Sequence, residues 1–431
     1  MHFHYANGQN LIPANPIESI ILNQNINNQS LLIRPIINSS NNIKWFLKFR
    51  NEMFYSQNYP NFENLGNRYV GRGLGFFTSY SFLYLSDHIL FGIEPFYLIN
   101  ENKSIKIYKR ESPYGDFAPD IFNVLNNNRI NTNKPYEKFG LRESTLFLHY
   151  NGLGFGISNA NMWWGPGLHT SLTMTNNTTG FPYIMIGSIY EKKFKSVKYN
   201  FRYIFSKLDK ISGDPYYSAL VFFLKFYNNP TITLGFSRNY LSGGLPTDRR
   251  FTVWDAVKLP FEWLFIDTKE DKYPIDWEAH DRWDQTLSFF IDLYYSKPKI
   301  NIYCEIGTDD HRQNWSDLRS HPEHNSAIII GLRKFNLFNN NNIFSGFEYA
   351  NIKQSFTHKF RGGGHWWSSP YYAYSTYDGR RWAAHSGSDS DDLYIFLGIK
   401  NGNYLYMPAF NFERHGIVFG KKPEVKIEFK L

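Results

Sequence analysis

Hydrophobic and polar residues alternate with a period of two in the most regular stretches of the chain. In segment 43–55, large apolar side chains recur at the odd positions, while charged residues such as Arg50 and Glu52 occupy the even ones. Segment 195–205 repeats this pattern. Because successive side chains of a β-strand point to opposite faces, a period of two predicts strands rather than helices.

Several other segments alternate in a similar way, and they are 219–227, 287–296, 300–307, 392–400 and 424–431. Residues that favour turns separate them, for example Asn228-Asn229-Pro230 and Asn401-Gly402-Asn403. Only segment 17–32, where apolar residues cluster without clear caps, is a candidate helix. The pattern therefore predicts an all-β protein with antiparallel strands.

The alternation alone fits both a soluble sandwich and a membrane barrel. Aromatic residues favour the barrel, because they fill consecutive apolar positions and strand ends, where interfacial girdles lie. The last segment alternates up to Leu431, as in a barrel whose final strand closes on its first. The apolar side chains would then face lipid and the polar ones the lumen. The predicted lumenal charges are Lys48, Arg50, Glu52, Lys198 and Arg202.

Longer polar stretches interrupt the strands at 110–137, 247–283, 309–324 and 360–392. Outer-membrane barrels have short periplasmic turns and long extracellular loops, so we expect function to lie in these stretches. The chain divides into an N-terminal segment, 1–42, which is periplasmic or part of a plug, and a single barrel domain, 43–431.

Composition excludes several classes of protein. Hydrophobic residues make up 42% of the chain, which is too many for a disordered protein. No stretch approaches the roughly 18 consecutive apolar residues of a transmembrane helix. The single cysteine, Cys304, excludes an intrachain disulfide and a cysteine-based zinc cluster. The net charge of +8 suits nucleic acid, an acidic glycan or anionic lipid. No signal peptide is visible, which fits a cytosolic protein or a mature exported form.

A tryptophan-rich motif resembles the signature of a known family. Residues 159–167 read Asn-Ala-Asn-Met-Trp-Trp-Gly-Pro-Gly, and Ser-Leu-Thr-Met-Thr-Asn-Asn at 171–177 and Phe181-Pro182 follow. These residues are similar to the capsule assembly protein family Wzi. Blocks at 69–100, 305–334 and 348–390 resemble further parts of that family in the same order. The first forty residues and the asparagine-rich insertions depart from the family pattern.

The resemblance implies an outer-membrane β-barrel of about 18 antiparallel strands. We expect the inward-facing charges to pair with one another in a plugged lumen, and a polysaccharide conduit is the alternative. The resemblance also implies a lectin without enzymatic activity or cofactor, which holds capsular polysaccharide or exopolysaccharide at the surface of a bacterium. The mature form would lie in the outer membrane, in contact with its lipid. Export machinery is a further candidate partner, and nucleic acid is not expected.

Sugar rings stack on aromatic side chains, and their hydroxyl and carboxylate groups bind amides and guanidinium groups. The candidate polysaccharide-binding residues are Trp163, Trp164, His365, Trp366, Trp367, Tyr371, Tyr372, Arg380, Arg381, Trp382 and His385. The alternative is that these rings form the outer girdle or pack within the loops. For Trp163 and Trp164, a structural turn packed into the lumen is an equal alternative, because Gly165-Pro166-Gly167 favours a tight turn.

Three other hypotheses remain open at this stage. The barrel could be a porin or translocation channel. It could also be a surface glycoside hydrolase, with Asp276, Glu278 and Asp281 as candidate carboxylates. Segment 388–392 could bind Ca²⁺, but it lacks the EF-hand spacing and is better interpreted as a solvated turn. The histidines show no metal-ligand spacing, so no metal site is predicted.

Overall fold

The computed structural model describes most of the barrel and several of its loops. The described residues are 33–34, 45–57, 63–105, 133–189, 191–208, 214–243, 252–261, 283–309, 319–353, 355–357, 359, 376–378, 380–401, 404–418 and 423–430. The side chains at 33, 34, 46 and 48 lie outside the description, so the predicted lumenal position of Lys48 stays a prediction.

The strands of the first half are β1 Ile33–Arg34, β2 Trp45–Ser56, β3 Gly73–Leu85, β4 Ile89–Asn100, β5 Tyr136–Tyr150, β6 Leu153–Ser158, β7 Trp163–Trp164, β8 Tyr183–Ser188, β9 Lys192–Phe194, β10 Val197–Lys207 and β11 Tyr216–Phe226. Those of the second half are β12 Thr231–Ser242, β13 Trp283–Tyr295, β14 Ile300–Asp309, β15 Ser326–Phe335, β16 Ile343–Asn351, β17 Thr376–Tyr377, β18 Arg380–Arg381, β19 Ser390–Asn401, β20 Tyr404–Tyr406, β21 Ala409–His415 and β22 Glu424–Lys430.

One sheet of 18 strands forms a closed barrel, and its neighbouring strands pair antiparallel. Strands β8 and β9 both pair with β10, and β20 and β21 both pair with β19, so each of these pairs forms one interrupted strand and the 18 strands occupy 16 positions of the described wall. The remaining short strands pair separately, β1 with β7 and β17 with β18. The predicted antiparallel barrel is confirmed.

The two faces of the barrel wall differ in polarity as the alternation predicted. On β2, Trp45 and Met53 are 59% and 72% exposed on the outer face, while Arg50 and Glu52 turn to the lumen and pair with each other. Exposed rings gather at both ends of the strands, as Tyr55 does at one end and Trp45 at the other. An apolar outer face with two aromatic belts is the polarity of a barrel in lipid.

Connection length distinguishes the two rims of the barrel. Turns such as Leu85 to Ile89 and Tyr295 to Ile300 join strands at one end, which we call the short-turn rim. The long polar stretches predicted from the sequence all connect strands at the other end, the long-loop rim. Their predicted bounds are slightly too wide, since β5 begins at Tyr136 and β19 at Ser390.

Three long connections contribute residues to the lumen, and we call their described residues 63–72, 159–182, 376–378 and 380–389 the plug. Most of their described side chains are buried, and Trp163 and Trp164 are 0% exposed. Ile33 pairs with Trp164, so a small part of segment 1–42 joins the plug strand β7. The rest of that segment, including the candidate helix at 17–32, lies outside the described residues.

One short helix, α1 Val253–Lys258, was missed by the sequence interpretation, and a 3-10 turn, Leu259–Phe261, follows it. Six residues are too few to display a helical period, although Thr252 and Asp255 form a capping box. The helix packs on the outer face of the wall, where the Tyr203 hydroxyl donates to the Val257 carbonyl at 2.9 Å. Tyr203 is therefore buried although its position faces outward.

A second 3-10 turn lies at Leu337–Asn339, on the short-turn rim. No helix among the described residues is long and apolar enough to cross a membrane.

Candidate functional site

A buried carboxylate on the barrel wall holds a turn of the plug. Glu348 of β16 accepts hydrogen bonds from the backbone N–H groups of Leu168 at 2.6 Å, His169 at 3.2 Å and Thr170 at 2.7 Å. The hydroxyl of Tyr303, on β14, donates to the same carboxylate at 2.6 Å. Hydrogen bonds to a charged acceptor are stronger than neutral ones, so Glu348 fixes both the position and the conformation of the turn.

A second carboxylate, Glu305 of β14, lies beside Gly165 of the tryptophan motif and is 0% exposed. It accepts the backbone N–H of Leu172 at 3.3 Å. Gly165 adopts a φ of +141°, and a Cβ atom there would lie 2.7 Å from both Glu305 Oε2 and Ser171 Oγ. This glycine is thus required both by its backbone conformation and by the close approach of the carboxylate.

Two further wall contacts hold the same loop. Arg333 of β15 donates to the Pro166 carbonyl, and its guanidinium lies 4.4 Å from the centre of the Tyr303 ring. The hydroxyls of Thr173 and Ser237 are hydrogen bonded at 2.8 Å. The tryptophan loop is therefore tied to strands β12, β14, β15 and β16.

The plug loops also bind one another through their backbones. The Thr175 amide donates to the Trp382 carbonyl at 2.6 Å, and the Asn177 side chain donates to the Arg381 carbonyl at 3.0 Å. Arg380 donates to the Gly66 carbonyl. All three loops consequently form one hydrogen-bonded layer inside the barrel.

The structure brings the predicted residues at 163–164 and 380–385 together in this layer. The described candidates are between 0% and 5% exposed, and they are Trp163, Trp164, Arg380, Arg381, Trp382 and His385. Trp163 and Trp164 form a turn packed into the lumen, which was the alternative considered for them. The other candidates lie outside the described residues, and they are His365, Trp366, Trp367, Tyr371 and Tyr372. Polysaccharide binding by either group stays a prediction.

Charged residues of the lumen are paired with one another. Glu52 contacts Arg50 at 3.0 Å and Arg68 of the plug at 2.9 Å. Lys198 lies 3.7 Å from Glu191. Arg202, also predicted to face the lumen, is 5% exposed. The predicted polar interior is thus present, and part of its charge ties the plug to the wall.

The acidic segment 388–392 was interpreted as a solvated turn, and this interpretation is wrong. Asp389 is buried and accepts the backbone N–H of Val418 at 3.0 Å. Asp391 accepts from Arg414 Nε at 2.8 Å, and Asp392 accepts from Asn411. These carboxylates contact separate partners. Asp389 ties the end of the plug to the residues after β21, whereas Asp391 and Asp392 of β19 bind residues of the neighbouring wall strand β21. The candidate hydrolase residues Asp276, Glu278 and Asp281 lie outside the described residues.

Sequence reasoning missed a group of ionisable side chains between the plug and the wall. Glu63, His169, His385 and Glu413 each place a ligand-type atom within 4.8 Å of the others. Burial lowers the pKa of His169. Burial also acts to lower the pKa of His385, but the carboxylates of Glu413 and Asp392 outweigh it and raise that pKa to about 9. No spacing signal could reveal the group, because its members come from distant parts of the chain.

Comparisons with known proteins agree with this architecture. The family model described as "Capsule assembly protein Wzi" matches residues 44–399. A solved structure titled as Wzi, an outer membrane protein involved in group 1 capsule assembly in Escherichia coli and a carbohydrate-binding β-barrel, is similar in fold. Its TM-score is 0.55 at 9% identity, and the match covers 86% of this chain and 70% of that chain.

Two further structural matches are weaker. A porin of Rh. blastica gives a TM-score of 0.39 at 6% identity, covering 89% of this chain and 98% of that one. OmpT of Vibrio cholerae gives 0.36 at 9% identity, covering 90% and 97%. Comparison with the curated proteins gives no match. The protein is a β-barrel of the bacterial outer membrane. It belongs to the capsule assembly protein Wzi family.

Proposed function

We propose that this protein binds capsular polysaccharide or exopolysaccharide at its long-loop rim and thereby retains the polymer on the cell. Membership of the Wzi family and the carbohydrate-binding barrel of similar fold support this function. The observation that carries it is the plug, where buried carboxylates hold loops of that rim against the wall. Because these loops are already held in place, the rim loses little conformational entropy when it binds a ligand.

We assign two roles to the candidate residues, the framework of the plug and contact with sugar. The described ones are buried, so we assign them to the framework of the plug. We assign contact with sugar to the residues that precede plug strand β17, namely His365, Trp366, Trp367, Tyr371 and Tyr372. Aromatic rings suit the C–H faces of sugars. Binding at each site is weak, and avidity accumulates along a repeating polymer.

The test uses cells that lack the gene and are complemented with variants. The double variant Trp366→Ala, Trp367→Ala is expected to release polymer into the medium while total synthesis is unchanged. A matched control is Phe338→Ala, which removes an aromatic ring that is 87% exposed at the short-turn rim. Normal retention by the double variant would remove these residues from the proposal. Deletion cells that stop making polymer would contradict a retention role altogether.

Two alternatives have their own measurements. A translocation channel is disfavoured because the plug fills the described part of the lumen, and purified wild-type protein is expected to be nearly silent in planar bilayers. A glycoside hydrolase would shorten purified polymer with time. If it did, and if Glu278→Gln or Asp281→Asn abolished the activity, the proposal of a non-enzymatic lectin would fail.

A further inference from the structure

The lumen contains a compact group of imidazole and carboxylate side chains that the proposed function does not use. We infer that Glu63, His169, His385 and Glu413 form a binding site for a divalent transition metal ion such as zinc. His385 Nε2 lies 3.3 Å from Glu413 Oε1. This is close to the separation of roughly 3.4 Å between two ligands of a tetrahedral zinc ion with bonds of about 2.1 Å.

The donor types distinguish among metals. Two imidazole nitrogens with two carboxylate oxygens suit zinc and its neighbours in the first transition row, whereas Ca²⁺ and Mg²⁺ prefer oxygen ligands throughout. The four side chains are at most 7% exposed. Such a closed site with four protein ligands is typical of structural metal ions rather than catalytic ones.

Neighbouring side chains already orient the ligands. The His169 ring stacks on Tyr394, with centroids 4.1 Å apart and planes 8° from parallel. His415 Nε2 lies 3.0 Å from Glu413 Oε2, while Oε1 of the same carboxylate faces His385 and accepts from Lys426 Nζ at 3.1 Å. Partners of this kind fix metal-binding side chains in position before the ion arrives.

Asp392 supplies an independent observation. Its Oδ2 atom lies 3.3 Å from His169 Nε2 and 3.2 Å from His385 Nε2. These three atoms are buried, and among the described residues none of them has a partner in hydrogen-bonding geometry. Buried polar atoms that converge without hydrogen bonds are costly, and a cation bound by the two imidazole nitrogens would also compensate the charge of the Asp392 carboxylate beside them.

The net charge of this group of side chains also favours a bound cation. Among the described residues, the local carboxylates outnumber the lysines that contact this group by four to two, which leaves a charge of −2 when the histidines are neutral. The carboxylates are Glu63, Asp392, Glu413 and Glu428, and the lysines are Lys426 and Lys430. A divalent cation cancels this charge.

The ligands come from all three plug loops and from the wall. Glu63, His169 and His385 lie on separate loops of the plug, and Glu413 lies on β21. An ion held by all four would bind only the plugged state, and it would therefore stabilise that state. The site is thus a clamp between plug and barrel, independent of any contact with polysaccharide.

The test is metal analysis of the full-length protein, purified in detergent without a histidine tag or chelator. After incubation with zinc chloride and dialysis, we expect roughly one zinc ion per chain. In His169→Gln and His385→Gln, we expect at least a roughly tenfold loss of affinity. His88→Gln, a histidine exposed on the short-turn rim, is the matched control and should keep the ion.

Cobalt provides a second readout that needs no variant. Co²⁺ added to chelator-treated wild-type protein is expected to give the intense visible absorption of a tetrahedral site, which an equivalent of zinc then removes. Wild-type protein that retains no zinc after dialysis and gives no such spectrum would overturn the inference. Unchanged zinc content in both folded variants would overturn it equally.

Discussion

Replacing Glu348 by Ala removes the acceptor that holds the plug turn. Three buried N–H groups, those of Leu168, His169 and Thr170, then lose their partner. Each unsatisfied donor costs about 1–3 kcal/mol, so the docked plug becomes about 3–9 kcal/mol less stable relative to the undocked plug. Since every 1.4 kcal/mol is a factor of ten, even the lower value raises the undocked fraction by more than roughly 100-fold. Glu348→Gln keeps one carbonyl oxygen, and we expect about a tenfold rise.

Ion conductance in planar bilayers measures the undocked fraction, because an open lumen passes current and a plugged one does not. Glu137→Ala is the matched control. Glu137 also accepts a tyrosine hydroxyl at 2.6 Å, from Tyr97, but it is exposed on the wall outside the plug. The conductance of Glu137→Ala should equal that of the wild type. If Glu348→Ala remained as silent as the control, the turn would not depend on the carboxylate and this reasoning would be refuted.

Three further predictions concern Gly165 of the plug, the lipid-facing side of the barrel wall and the binding of the polysaccharide. Gly165→Ala places a methyl group 2.7 Å from Glu305 at a φ of +141°, so we expect a loss of about 1–3 kcal/mol in stability, seen as a lower thermal midpoint. Gly140→Ala, whose new Cβ atom would lie 3.2 Å from its nearest neighbour, an atom of the Phe96 ring, should lose less stability. Phe289→Arg puts a charge on the lipid-facing side of β13, and we expect its free energy of folding into vesicles to be less favourable by about 2–4 kcal/mol. For Phe338→Arg, at the short-turn rim, we expect a loss of only about 0–1 kcal/mol. The net charge of +8 predicts that an acidic polymer binds less tightly as salt increases, and binding that is unchanged between about 0.1 M and 1 M salt would contradict this.

The wall of the barrel was accessible to sequence reasoning because its pattern is local. A period of two assigns each side chain of a strand to one face, and the aromatic residues identify the face in contact with lipid. Trp45 and Met53 lie outside and Arg50 inside, as the alternation predicts. Tyr203 is an exception among the described residues, because helix α1 covers it. That contact joins residues distant in sequence, so no local pattern reveals it.

The candidate site was only partly accessible. The tryptophan motif and the arginine pair were found from their composition, but their burial was not, because a loop that turns into the lumen has the same local sequence features as one in water. Trp163 and Arg381 are enclosed since Glu305, Glu348 and their neighbours bind the backbone of the plug. Nothing in the alternation of a strand identifies which inward carboxylate will accept those bonds.

By itself, the sequence determined the class of fold, the polarity of the wall and the family, because each depends on short-range periodicity or on contiguous motifs. Only the tertiary structure decided that the loops fill the lumen and that His169 and His385 meet Glu413 there. The physical reason is that closing the barrel brings strands and loops from its whole circumference around one axis. Contacts made across that axis depend on the closed sheet and not on proximity along the chain.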